Sequence, residues 1–374
     1  GQTKHIPPIL SSFTIILGLV FTLLAALGIL LASPILRLLH TTSDTLRLAE
    51  DYLQIIFLGV PFLAVYNVYS AALRGIGDSR APFLAVLVSS VVNVLLDLIF
   101  VAWFRWGVSG AAIATVISQA AMTVFIILYT IKKHSILRFR WKGKRIDRQA
   151  LVQGMRFGFP PMIQSSVSAF GSLLLQNFMN GFGTQTVAAI TTAYRVDSIA
   201  LLPIINLGSG ISTLVAQSHG AGQEKRAKKI FDVGMVVMFT VSLLLTLLIV
   251  PTGGRLIALF GAGEEAVAIG DGFFQRIACF YVVYGLATAV RGYLEGLGDV
   301  VYSSITGIVS LAFRILASYA FASLCGNMII AYAEAFSWGI LLVLYLVRML
   351  WKRNRAKHGI TEKRERKCNS CGRL

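Results

Sequence analysis

Apolar residues fall in long, nearly unbroken runs, and polar residues collect in short clusters between them. Ten runs are long enough to cross a bilayer: 8–33, 52–72, 82–104, 109–131, 152–180, 187–217, 230–252, 268–290, 301–324 and 327–350. A membrane helix needs about 20 such residues. Backbone in hydrocarbon must satisfy its own hydrogen bonds, so helices are expected, and the strict alternation of a membrane barrel is absent. The pattern predicts an all-α integral membrane protein. Pro203, inside an apolar run, predicts a kinked or broken helix.

Composition agrees. Hydrophobic residues make up 56% of the chain and charged residues 14%, against about 45–50% and about 25% in soluble domains. The formal net charge of +17 suggests nucleic acid at first sight. Its distribution says otherwise. Of 34 Lys and Arg, 25 fall on segments 1–7, 73–81, 132–150, 218–229, 291–300 and 351–374, while the alternate loops hold only Arg37, Arg47, Arg105 and Arg255. This is the positive-inside bias of a plasma-membrane protein, and it places both ends of the chain in the cytoplasm. The basic clusters then anchor on anionic lipid, with no nucleic-acid partner expected. The five His are scattered, with no nucleophile–base pair or metal-ligand spacing, so no enzyme is expected. Cys279 and Cys325 read as small packing residues. Cys368 and Cys371 form half a metal site at most.

The chain repeats itself. "LRGIGDS" (Leu73–Ser79) and "LEGLGDV" (Leu294–Val300) align Gly75, Gly77 and Asp78 with Gly296, Gly298 and Asp299, an offset of 221. The same offset pairs Gly1-Gln2 with Gly222-Gln223, and Gln54 with Gln275. Both G-x-G-D turns lie on the positive side, so the repeat is parallel, an arrangement known in secondary transporters. A phosphate loop would need a preceding strand; these are tight turns, with Asp78 and Asp299 placed to cap the next helix. The expected organisation is an N-lobe over 1–131, a cytoplasmic loop over 132–150, a C-lobe over 151–350 and a basic cytoplasmic tail over 351–374. Residues 151–221 supply two helices before the shared Gly-Gln, with no counterpart before Gly1. The sequence therefore reads as ten transmembrane helices of an expected twelve, truncated at the N-terminus.

Three stretches carry a resemblance: "YLQIIFLGVPFLAVYNVYSAALRGIGDSRAPFLAVLVSSVVNVLLDLIFV", "WGVSGAAIATVISQ", and the segment from "GFPPMIQSS" to "QSHGAGQEKRA". In order, they resemble the fourth to eighth helices of the multidrug and toxic compound extrusion family, with its L-R-G-x-G-D-[ST] and Q-x-x-G-A-G-x-x-x-R-A turns. The resemblance implies a V-shaped, two-lobed exporter. Such a protein moves small organic cations outward against Na⁺ or H⁺ by alternating access. It implies no cofactor beyond that ion, and membrane lipids as surroundings; a monomer is expected.

The chemistry centres on "VVNVLLDLIF". A mid-membrane Asp costs about 2.5–3.5 kcal/mol on insertion scales. Asn93 and Asp97 are four apart and share a helical face. A carboxylate and an amide carbonyl suit a hard cation; interhelical bonding is the plainer alternative. Thr115 follows the small residues "GAAIA", which allow close helix approach. The resemblance implies that Asn93, Asp97 and Thr115 form the cation-coupling site, with no metal beyond Na⁺ at Asp97. The family site also takes an Asp from the first helix, which this chain lacks; Asp97 alone could simply protonate. The offset carries Asn93 and Asp97 onto Arg314 and Ser318, so no second copy of the site is expected, and Arg314 is expected to pair with Glu334. Some family members carry a Glu in the seventh helix; "PPMIQSSVSAFGS" has none, so that acid site is not expected. Gln164, Gln176, Asn177, Asn180, Arg195 and Asp197 are the candidate substrate-cavity residues. Arg195 and Asp197 could instead pair with other helices. Two other functions stand beside drug export: a lipid-linked precursor flippase of the same fold, and a fragment without transport activity.

Overall fold

The computed structural model describes residues 6–38, 42–137, 146–261 and 263–371. They are helical, with no strand among them. The chain divides after Met155 into two compact units.

In the first unit, α1 (Ile6–Leu38), α2 (Ser43–Gly75), α3 (Arg80–Asp97) and α4 (Gly107–Lys133) follow the first four apolar runs. α2 packs on α1 and α4, and α3 packs on α4. Leu10, Tyr66, Tyr69, Leu73, Ala81, Ala85, Met122 and Ile126 form the buried core. The outward faces carry bare apolar side chains, such as Leu23, Leu30, Phe83, Val94 and Leu98. In water they would carry a large penalty; in a bilayer they carry none.

α5 (Arg148–Asn180) crosses the unit boundary. The second unit continues with α6 (Thr184–Ala200), α7 (Leu202–Gly220), α8 (Glu224–Leu259), α9 (Glu264–Ile277), α10 (Tyr281–Gly296), α11 (Val300–Ala320), α12 (Ala322–Cys325) and α13 (Ile329–Cys371). α10 is central, packing on α7, α8 and α13, while α6 packs on α9. Phe273, Phe274, Ile277, Tyr281 and Ile204 are fully buried there.

All ten predicted segments are helical along most of their length, five within one continuous helix and the others across a short break or a change of helix type. Among the described residues, eight spans are long and apolar enough to cross a membrane, and α6 with α7 makes a ninth, bent by 41°. The bend falls at Leu201, with Pro203 in the first turn of α7, as Pro predicts. α5 is equally long but more polar, carrying Arg156, Gln164 and a run of serines. The basic tail is helical through Cys371, and the Cys368 and Cys371 side chains lie outside the described residues. Cys279 and Cys325 are exposed along their helices rather than packed inside.

The repeat has a geometric signature. Gly77 and Gly298 adopt φ of +94° and +85°, which only glycine does at little cost. Around Gly77, Asp78 N–H donates to the Leu73 carbonyl (2.9 Å) and Gly77 N–H to Arg74 (3.0 Å). Around Gly298, Asp299 N–H donates to Leu294 (2.9 Å) and Gly298 N–H to Glu295 (2.9 Å). Both are Schellman stops, 221 residues apart.

The two aspartates that follow differ. Asp78 caps α3, accepting from the N–H groups of Arg80 and Ala81 (3.1 and 3.2 Å), and also meets His134 at 2.7 Å. Asp299 makes no side-chain cap; it accepts from Arg348 (2.8 and 3.2 Å) and Lys352 (3.0 Å). Partial burial pushes both carboxyls up. Bonds from His134, Ala81, Tyr129 and Arg80 on one, and from Arg348 and Lys352 on the other, outweigh it and hold them below the ordinary value.

Candidate functional site

Asn93 and Asp97 sit one turn apart at the end of α3, both half-buried. Asn93 Nδ2 and Asp97 Oδ1 are inaccessible to solvent and have no hydrogen-bond partner among the described residues. A buried polar atom left unpaired costs about 1–3 kcal/mol, more when charged, so such atoms require a reason.

Immediately after Asp97 the helix changes type. Leu98–Trp103 is a π-helix, with Phe104 N–H reaching back five residues to the Ile99 carbonyl (2.9 Å). π segments widen the backbone and recur at functional sites. Two residues past its end lies Arg105, a non-glycine residue at φ +57°, a strained left-handed conformation. Phe100, Phe104 and Trp106 stack over the turn, with centroids 4.9–6.3 Å apart. No composition or spacing cue marks the π segment in sequence.

α4 lies against this region through the small residues. Ala112 and Ala114 are fully buried, and a Cβ on Gly110 would meet Phe100 and Trp106. Thr115 is half-buried, and its hydroxyl donates to the Ala111 carbonyl (2.9 Å), leaving oxygen lone pairs to accept. One turn further, Gln119 Oε1 is also buried and unpartnered; its amide occupies the space left by Gly59 of α2. The structure thus places Asn93 and Asp97 on one helix and Thr115 on its packed neighbour, with no hydrogen bond joining the three. Gln119 was missed, although its spacing of four from Thr115 puts both on one face of α4.

The candidate cavity residues do not converge in the same way. Gln164 packs its amide where a side chain on Gly307 would lie. Gln176 donates weakly to Asn180 (3.5 Å), and Asn177 is exposed. Arg195 is exposed while Asp197, two residues on, is buried and accepts from the Tyr281 hydroxyl (2.5 Å). The two charges point to opposite sides of α6. Arg314 pairs with Glu334 at 2.9 Å, as expected, and also donates to the Tyr194 hydroxyl (2.7 Å).

Comparisons with known proteins agree on one family. The model of the MatE family matches residues 1–99 and 160–320. "Probable multidrug resistance protein YpnP" of Bacillus subtilis is 30% identical over 308 residues, covering 82% of this chain and 68% of the relative. "Probable multidrug resistance protein YoeA" of the same organism is 29% identical, covering 91% and 76%. Among solved structures, an outward-facing multidrug resistance MATE family transporter of the MOP superfamily superposes with a TM-score of 0.84 at 19% identity, over 95% of this chain and 82% of that one. The likeness is one of fold.

Proposed function

The chain belongs to the MatE family, and on that premise we propose that it is a secondary active exporter of small organic cations, exchanging them for Na⁺ or H⁺ by alternating access. The family is one of multi-pass membrane transporters, not enzymes. Relatives named for multidrug resistance and multidrug export support drug-like substrates. The positive-inside bias supports a plasma-membrane protein with both ends of this chain in the cytoplasm. It is read as a monomer among membrane lipids.

One observation carries the coupling reading. In the first repeat, buried polar atoms of Asn93 and Asp97 have no partner among the described residues. A cation or proton at Asp97 would relieve that cost. Asn93 contributes its amide, whose half-turn exchanges Nδ2 for the carbonyl oxygen. Thr115 contributes a hydroxyl oxygen from α4. Gln119 extends the same face.

The test is extrusion of a fluorescent organic cation from vesicles under an imposed Na⁺ or H⁺ gradient, each applied separately. Asp97→Asn is expected to abolish gradient-driven efflux at equal protein level. Unchanged coupled efflux in that variant overturns the assignment.

A further inference from the structure

The second repeat holds two buried carboxylates beside one cation. Asp197 on α6 and Glu334 on α13 are only 5% and 7% exposed. Arg314 on α11 donates to Glu334 (2.9 Å) and to the Tyr194 hydroxyl (2.7 Å). Asp197 accepts from the Tyr281 hydroxyl of α10 (2.5 Å) and pairs directly with no cation among the described residues. With both acids ionised the cluster carries one surplus negative charge at membrane depth, which is costly.

No neighbouring element removes that surplus. α9 faces α6 with Phe273, Phe274 and Ile277, and Phe273 packs edge-on against Tyr194 at 5.6 Å. The α9 cation, Arg276, is spent on the Tyr332 hydroxyl (3.1 Å) and the Gly272 carbonyl (2.6 Å). α8 contributes apolar Ile249 and Met238 to the same core. Tyr284 of α10, another phenol packed against that core, meets Trp338 with ring centroids 4.8 Å apart. Arg195, on α6 itself, is exposed on the far side from Asp197.

We propose that Asp197 is a second proton-binding carboxylate, in which Asp197, Tyr281, Glu334 and Arg314 together hold one exchangeable proton. The proton moves from water onto a carboxylate oxygen of Asp197 and returns to water when the site opens. A metal ion fits poorly. Hard cations take about six oxygen ligands, whereas Glu334 is engaged by Arg314 and Asp197 by Tyr281. No cluster of three or more metal-ligating His, Cys, Asp or Glu occurs among the described residues. The site differs from the Asn93–Asp97 pair and shares no residue with it.

The inference deepens the coupled-export reading, and its test does not depend on transport. Infrared difference spectra of the full chain in lipid are recorded between mildly alkaline and mildly acidic buffer, in the Asp97→Asn background so that the first repeat's carboxyl does not contribute. A carboxylic-acid C=O band that grows on acidification is expected. Adding Asp197→Asn removes it. Adding Glu334→Gln removes it as well, because Arg314 then neutralises the remaining carboxylate. Tyr281→Phe, which keeps both acids and the cation, retains the band but shifts the pH at which it appears. A band that persists with Asp197→Asn, is missing from the background protein, or is unmoved by Tyr281→Phe overturns the proposal. Absence of gradient-driven efflux in the wild type would sink the export reading while leaving this band in place, so the two failures are distinguishable.

Discussion

Positions 93 and 97 on α3 and their counterparts 221 residues later on α11 hold opposite chemistry. The first repeat places Asn93 and Asp97 there and leaves a buried atom of each unpaired. The second places Arg314 and Ser318 there and satisfies both. Arg314 meets Glu334 and Tyr194, and the Ser318 hydroxyl donates to the Arg314 carbonyl at 2.8 Å. The preceding turns are nearly identical in hydrogen bonding, so the backbone frame does not require either set. The difference teaches that in membrane repeats architecture and chemistry are separable. One α3-type helix leaves buried polar atoms without a partner among the described residues; the other has its polar groups paired within the protein.

The comparison breaks most readily at Arg314. Arg314→Gln strands Glu334 in the interior, and losing one partner of a buried pair costs about 3–5 kcal/mol. A large fall in melting temperature in detergent is expected. Asp97→Asn removes a charge of the first repeat, one turn beyond the position that matches Arg314, but breaks no ion pair, so its melting temperature should hold or rise. A drop comparable to that of Arg314→Gln would show that Asp97 is structural. Thr115→Val comes next: under the proposed coupling site it removes one oxygen and is expected to weaken the apparent cation response about tenfold, about 1.4 kcal/mol, with Thr115→Ser retaining it. Concentration dependence of efflux on the driving ion reads this. The smallest effect lies at the turns. Asp78→Ala removes a helix cap and should cost about 1 kcal/mol.

The turns also carry a pH signature. Asp78 and Asp299 are held below the ordinary carboxyl value in the folded protein. Their contribution is therefore fully present above the unfolded value, about pH 4, and is lost as pH falls through the lowered folded values. The melting difference between wild type and Asp78→Ala should shrink on strong acidification and be constant near neutrality.

Much of the fold was legible because hydrophobic runs, Pro203 and the glycine stops are local signals. The Arg314–Glu334 pair was legible too, since the repeat offset singled out a buried cation that needed a partner. Other features were not. Asp197 and Tyr281 lie 84 residues apart in sequence and meet only through tertiary packing. The π segment after Asp97 is apolar in either helical form, so hydropathy is blind to it. Cys279 and Cys325 were expected inside and lie outside; in lipid the outer face is as apolar as the core, so apolarity does not report burial. Gln119 was not legible because what sets its amide apart is a tertiary contact, the space left by Gly59 of α2.

The glycine stops have a consequence for how such a chain is made. The turn at Gly222, φ +72°, repeats the pattern of Gly77 and Gly298, with Gln223 N–H reaching the Ser218 carbonyl (2.8 Å) and Gly222 N–H the His219 carbonyl (2.9 Å). Each of the three stops is completed within six consecutive residues. Synthesis delivers the N-terminal part of a chain first, and contacts local in sequence close fastest. Every one of these helices can thus be terminated as it leaves the ribosome, before the spans it will pack against have been translated.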